Sequence, residues 1–78
     1  MFRKRLRAAR MARNLTQQNM ADSLSLSLNA YQKYEQGERF PSMDVLIKLA
    51  DVLDISIDWL FGRDGYLKSH GVHVDEYL

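Results

Sequence analysis

The sequence predicts an all-α fold of five short helices, and three observations carry that prediction. Apolar residues recur at steps of three and four along most of the chain, the spacing of one helix face. Ser or Thr stands directly ahead of four of these stretches, where its hydroxyl can cap the first turn. Gly, Asn or Asp stands at the far end of most of them, where a left-handed residue closes a helix. No strand reading competes with these helices between residues 2 and 62.

The first helix is expected between Phe2 and Arg13, because Phe2, Leu6, Ala9 and Ala12 line one face. Asn14 ends it. Thr16 caps a second helix from Gln17 to about Leu24, with Leu15 and Met20 placed to form a hydrophobic staple. The same grammar repeats after Ser25: Leu26 precedes the cap Ser27, Tyr31 can pack back on Leu26, and the third helix runs from Leu28 to Gln36. Gly37 stops it. Phe40 before Pro41 is biased away from helix, so residues 38–41 form a loop. Ser42 caps a fourth helix whose Leu46, Leu49, Ala50 and Leu53 share a face, with Asp44 against its positive end and Asp54 at its close. Ser56 caps a short fifth helix, stapled by Ile55 and Leu60 and stopped at Gly62. Residues 1–62 therefore read as one domain. Residues 63–78 read as a tail for dimerisation or a disordered one, since Val72, Val74, Tyr77 and Leu78 follow no persistent period.

With 78 residues and no Cys, the chain has neither a disulfide framework nor a thiolate metal cluster, which fits a reducing cytoplasm. Its apolar runs fall short of the roughly 20 residues a spanning helix needs, so no membrane role is expected. At this length no catalytic, sensor or self-cleaving domain is expected beside the helices. The net charge of +1 conceals an uneven distribution. Residues 1–14 hold Arg3, Lys4, Arg5, Arg7, Arg10 and Arg13 with no acid, a charge of +6; residues 15–40 carry −1 and residues 41–78 carry −4. One basic end and one acidic end suit a polyanion-binding surface, although a solvated helix face has the same composition. An Arg-rich, acid-free start is also the mark of a mitochondrial presequence, but here it runs without a spacer into the first helix and reads as part of the fold.

Two short helices joined by only Ser25 and Leu26 form the helix-turn-helix pattern, which small helical bundles can also contain. The third helix adds a more specific feature. Opposite Tyr31 and Tyr34 it presents Leu28, Asn29, Gln32 and Lys33. Asn and Gln can each donate to and accept from the edge of adenine, Lys can donate to guanine O6 and N7, and an apolar side chain can meet a thymine methyl. An ordinary polar helix face is the plainer reading of those four residues alone.

The segment Leu15-Thr16-Gln17-Gln18-Asn19-Met20-Ala21-Asp22, followed by Tyr34-Glu35-Gln36-Gly37, Pro41-Ser42-Met43, Leu46, Leu49-Ala50 and Ile55-Ser56-Ile57-Asp58-Trp59-Leu60, resembles the Cro and lambda-repressor type of helix-turn-helix protein, also called the xenobiotic-response-element family. The likeness covers Phe2 to about Gly62. It implies a five-helix lambda-repressor-like DNA-binding domain whose third helix enters the major groove. It also implies a homodimer that reads two half-sites of a palindromic operator in double-stranded DNA, about 34–36 Å apart. By that likeness Leu28, Asn29, Gln32 and Lys33 are the base-reading positions, and Gln17 contacts phosphate at a helix N-terminus with unpaired N–H groups. Thr16, Ser27, Gln36 and Arg39 are expected beside it on the phosphates, as are Arg5 and Arg13 from the first helix. The likeness further pairs Arg10 with Glu35 as scaffold.

Two positions depart from the family. Ser25 stands in the interhelical turn where Gly is usual, so a positive φ there carries strain. Leu28 stands at a reading position that is usually polar.

His70, His73 and Asp75 are the only ligand-like cluster, and they are a weak one, because a closed zinc site needs four ligands. No metal, cofactor or small-molecule substrate is expected, and no nucleophile stands with a base. The leading expectation is a cytoplasmic transcriptional repressor. The rival from another class is an antitoxin or other protein-interaction module that engages a protein partner through the tail or through the fourth and fifth helices; an enzyme is the third reading.

Overall fold

The computed structural model describes residues 1–62. His70, His73, Asp75, the apolar residues of the tail, and with them its dimerisation and protein-partner readings, lie outside the described residues.

Five helices follow in order: α1 (Phe2–Ala12), α2 (Gln17–Ser23), α3 (Leu28–Gln36), α4 (Met43–Leu53) and α5 (Ile57–Leu60). Four of them begin on a hydroxyl that accepts from the backbone N–H three residues on. Thr16 accepts from Asn19 at 3.0 Å, Ser27 from Ala30 at 3.1 Å, Ser42 from Val45 at 3.4 Å and Ser56 from Trp59 at 2.9 Å. Each bond satisfies one of the orphan donors of a first turn. At α2 the bond is reciprocal, since the Thr16 N–H donates to Asn19 Oδ1 at 2.9 Å. α1 begins without a side-chain cap.

The chain reverses through left-handed residues. Asn14 (φ +57°) follows α1, Ser25 (φ +56°) lies between α2 and α3, Gly37 (φ +79°) closes α3 and Asp54 (φ +53°) closes α4. α2 ends at Ser23, slightly short of the expected boundary, because its last turn tightens: Leu24 N–H donates to Ala21 O and Ser25 N–H to Asp22 O, both at 3.2 Å. The turn is then locked by Leu26 N–H, which donates to Ala21 O at 2.8 Å.

The core takes Leu6 and Ala9 from α1, Met20 and Ala21 from α2, Leu24 from the turn, Tyr31 and Tyr34 from α3, Leu46, Leu49 and Leu53 from α4, and Leu60 from α5. Leu15, Leu26 and Ile55, the leading residues of the three staples, pack partly buried against it. At about 25 cal/mol per Å² of apolar surface removed from water, such side chains stabilise the fold by roughly 1.5–3 kcal/mol each when fully covered. α3 is thus anchored along one face and left open along the other. No helix among the described residues is long and apolar enough to cross a membrane.

Candidate nucleic-acid interface

The two faces of α3 differ because its two tyrosines go inward. Tyr31 is fully buried and meets Tyr34 edge-on, with ring centroids 6.3 Å apart. On the other side Asn29 and Gln36 are exposed, while Leu28, Gln32 and Lys33 are half-buried. The four residues expected to read bases are therefore brought together on an accessible surface, with Ser27 exposed at its start and Arg39 exposed just past its end.

A polar network fastens this helix to α1 and α2. Arg10 Nε donates to Glu35 Oε2 at 2.7 Å and its Nη2 to Glu35 Oε1 at 3.2 Å, a two-point clamp, while its Nη1 donates to Leu15 O at 2.8 Å. The two charged side chains are 12% and 4% exposed, so the pair is largely desolvated. Burial alone raises the pKa of Glu35, but the hydrogen bonds from Arg10 and Gln17 outweigh it and leave the carboxyl below its ordinary value. The Glu35 hydrogen bond in turn holds the Arg10 guanidinium above its ordinary value, against the opposing effect of burial. Burial, with Glu35 alongside, pushes the Tyr31 hydroxyl well up, so it stays neutral. From Glu35 the network continues outward: Gln17 Nε2 donates to Glu35 Oε1, and Gln32 Nε2 donates to Gln17 Oε1, each at 3.2 Å. Gln17 thus joins α2, α3 and the scaffold pair.

Two of the arginines expected on phosphate are engaged elsewhere. Arg5 Nη1 donates to Trp59 O at 2.6 Å, and its guanidinium lies 4.9 Å from the centre of the Trp59 ring. Arg13 Nε donates to Leu53 O at 2.7 Å and its Nη2 pairs with Asp54 at 3.4 Å. Both guanidiniums satisfy carbonyls at helix C-termini, where the macrodipole also favours a cation. Each of the two thus has partners within the fold. Arg7 instead lines a groove with Thr16, Gln17 and Gln36, and Arg3 crosses Gly37 beside Arg39. The signal for this was in the sequence: Arg3, Arg7 and Arg10 lie at i, i+4 and i+7, so whatever face of α1 meets Glu35 carries all three.

The description Helix-turn-helix belongs to the family model that matches residues 6–60. The chain belongs to the helix-turn-helix family, of the xenobiotic-response-element type. In this helix-turn-helix protein α2 and α3 are the paired helices and Ser25 sits in their turn. It is 52% identical over 62 residues to the cryptic phage CTXphi transcriptional repressor RstR of Vibrio cholerae serotype O1, covering 80% of this chain and 55% of that one. Over 60 residues it is 45% identical to the uncharacterized HTH-type transcriptional regulator YqaE of Bacillus subtilis, covering 77% of this chain and 52% of the relative. It also matches the HTH-type transcriptional activator BcrR of Enterococcus faecalis, 34% identical over 63 residues, with 81% and 31% covered. The chain spans about half the length of the first two relatives. Among solved structures there is no significant match.

Proposed function

We propose that this chain is a cytoplasmic, sequence-specific binder of double-stranded DNA that regulates transcription, with α3 in the major groove and two copies on a palindromic operator. One observation carries the reading. Tyr31 and Tyr34 hold α3 by one face, and the opposite face keeps Asn29, Gln32 and Lys33 accessible together. Those are side chains whose donors and acceptors match base edges, and Leu28 beside them offers an apolar contact to a thymine methyl.

Phosphates on either side would meet Thr16, Gln17, Ser27, Gln36 and Arg39, with Arg3 and Arg7 from α1. The start of α2 supplies free N–H groups to the same purpose. For the two-fold partner, Ile47, 46% exposed, and the half-buried Ile55 and Ile57 offer apolar contacts in a groove along α4 and α5 that Asp51, Ser56 and Asp58 also line. Repression is favoured by the name of the Vibrio cholerae relative, and the name of BcrR supports the activating alternative.

The test is selection of bound sequences from a random duplex pool. A two-fold symmetric motif with half-sites one helical turn apart is expected, and recovery of unenriched sequence would overturn the proposal. A reporter placed behind the selected site then distinguishes repression from activation.

A further inference from the structure

The hydrogen bonds that lead from Arg10 to Gln32 have a direction. Glu35, clamped by Arg10 and almost fully covered, is a carboxylate, and an ionised carboxylate only accepts. Gln17 must therefore turn its amide nitrogen toward Glu35, at 3.2 Å. Its carbonyl oxygen is then left facing Gln32, and that oxygen also only accepts. Gln32 is obliged to answer with its own nitrogen, again at 3.2 Å. What Gln32 retains for an external partner is one carbonyl oxygen and one N–H. That combination matches adenine, which offers N6–H and N7 in the major groove, and mismatches guanine, which offers two acceptors.

Resting on the reading that α3 enters the major groove, we infer that Glu35, acting through Gln17, fixes which end of the Gln32 amide faces DNA and so sets Gln32 as an adenine reader. Glu35 and Gln17 are positioning residues in this scheme; the base contact belongs to Gln32. The device follows from the donor and acceptor inventory alone, because neither carboxylate nor carbonyl can be turned to donate. Its converse is equally definite. A residue at position 17 that only donates would draw the Gln32 carbonyl inward and leave both N–H groups outward, the pattern that suits guanine O6 and N7.

Gln17→Lys makes that reversal, since its ammonium can donate to Glu35 and to Gln32 while leaving the Arg10 clamp in place. Gln17→Leu breaks the relay without imposing either polarity. Each full chain is put through selection from a random duplex pool, followed by titration of duplexes that differ at one base. Gln32→Ala identifies that base as the one whose preference it abolishes. The wild type is expected to prefer adenine over guanine there by about tenfold or more. Gln17→Lys should invert the preference, and Gln17→Leu should flatten it, with helical content unchanged by circular dichroism. The same base chosen by the wild type and by Gln17→Lys would overturn the relay and leave the major-groove reading intact, as would a loss of affinity uniform across sequences. Failure of the wild type to enrich any sequence would overturn both.

Discussion

Replacing Glu35 with Ala removes the acceptor on which three donors converge. Arg10 loses contacts at 2.7 and 3.2 Å and keeps only Leu15 O at 2.8 Å, while Gln17 loses its contact at 3.2 Å. Leaving one member of a buried pair unpaired costs about 3–5 kcal/mol. Because Arg10 keeps one carbonyl and is 12% exposed, the lower end applies, about 3 kcal/mol. A 78-residue chain at about 0.05–0.15 kcal/mol per residue has about 4–12 kcal/mol in all, so the loss is a large share. Denaturant unfolding followed at the helical circular dichroism band measures it. The isosteric Glu35→Gln keeps one accepting oxygen but turns its N–H2 toward a donor and leaves the Arg10 charge unpaired, so it should lose nearly as much. A double-mutant cycle with Arg10→Ala isolates the pair, with an expected coupling of about 2–3 kcal/mol. Coupling below about 0.5 kcal/mol, the value of a solvated surface pair, would refute the reasoning.

Other outcomes follow from the same structure. Ser25→Gly relieves a left-handed residue of about 1–2 kcal/mol of strain against a glycine entropy cost of about 0.5–1 kcal/mol, so a modest rise in melting temperature is expected. Gly37→Ala should destabilise by about 1–2 kcal/mol through its φ of +79°, while the exposed Arg3 side chain, whose Cδ would lie 2.9 Å from the new Cβ, can swing aside; an unchanged unfolding midpoint would contradict it. Glu35 has a lowered pKa in the fold, so its stabilisation is complete above the ordinary carboxyl value of 4.5 and is lost as pH falls from there through the lower folded value. Unfolding midpoints between pH 6 and pH 2.5 should show that loss, with a shallower slope in Glu35→Gln. Binding to the selected duplex should weaken steeply with salt, with a log–log slope of about −0.9 per phosphate neutralised. Arg7→Ala should lower that slope by about one unit, and Arg13→Ala should leave it unchanged.

The helices were legible because their signals are local. Thr16, Ser27, Ser42 and Ser56 each cap within three residues, and Gly37 and Asn14 need only their own φ. The accessible face of α3 was legible for a related reason: once Tyr31 is stapled inward, helical geometry dictates where Asn29, Gln32 and Lys33 stand. The destinations of Arg5 and Arg13 were not. Their acceptors lie 54 and 40 residues away, and a guanidinium suits a helix-end carbonyl as well as it suits a phosphate. The double engagement of Gln17 was equally hidden, since it depends on how closely α2 approaches α3 at Glu35 and Gln32. The Arg10–Glu35 clamp was anticipated only through the family likeness, because 25 residues separate its members.

The central claim is that the outward side chains of α3 choose the bases. Its most direct measurement is the ratio of affinities for the selected duplex and for a scrambled one at fixed salt, in the wild type and in Asn29→Ala/Gln32→Ala. Two lost base contacts at about 1–3 kcal/mol each should bring that ratio close to one in the double variant while affinity for the scrambled duplex stays the same. An unchanged ratio in a folded double variant would contradict the claim.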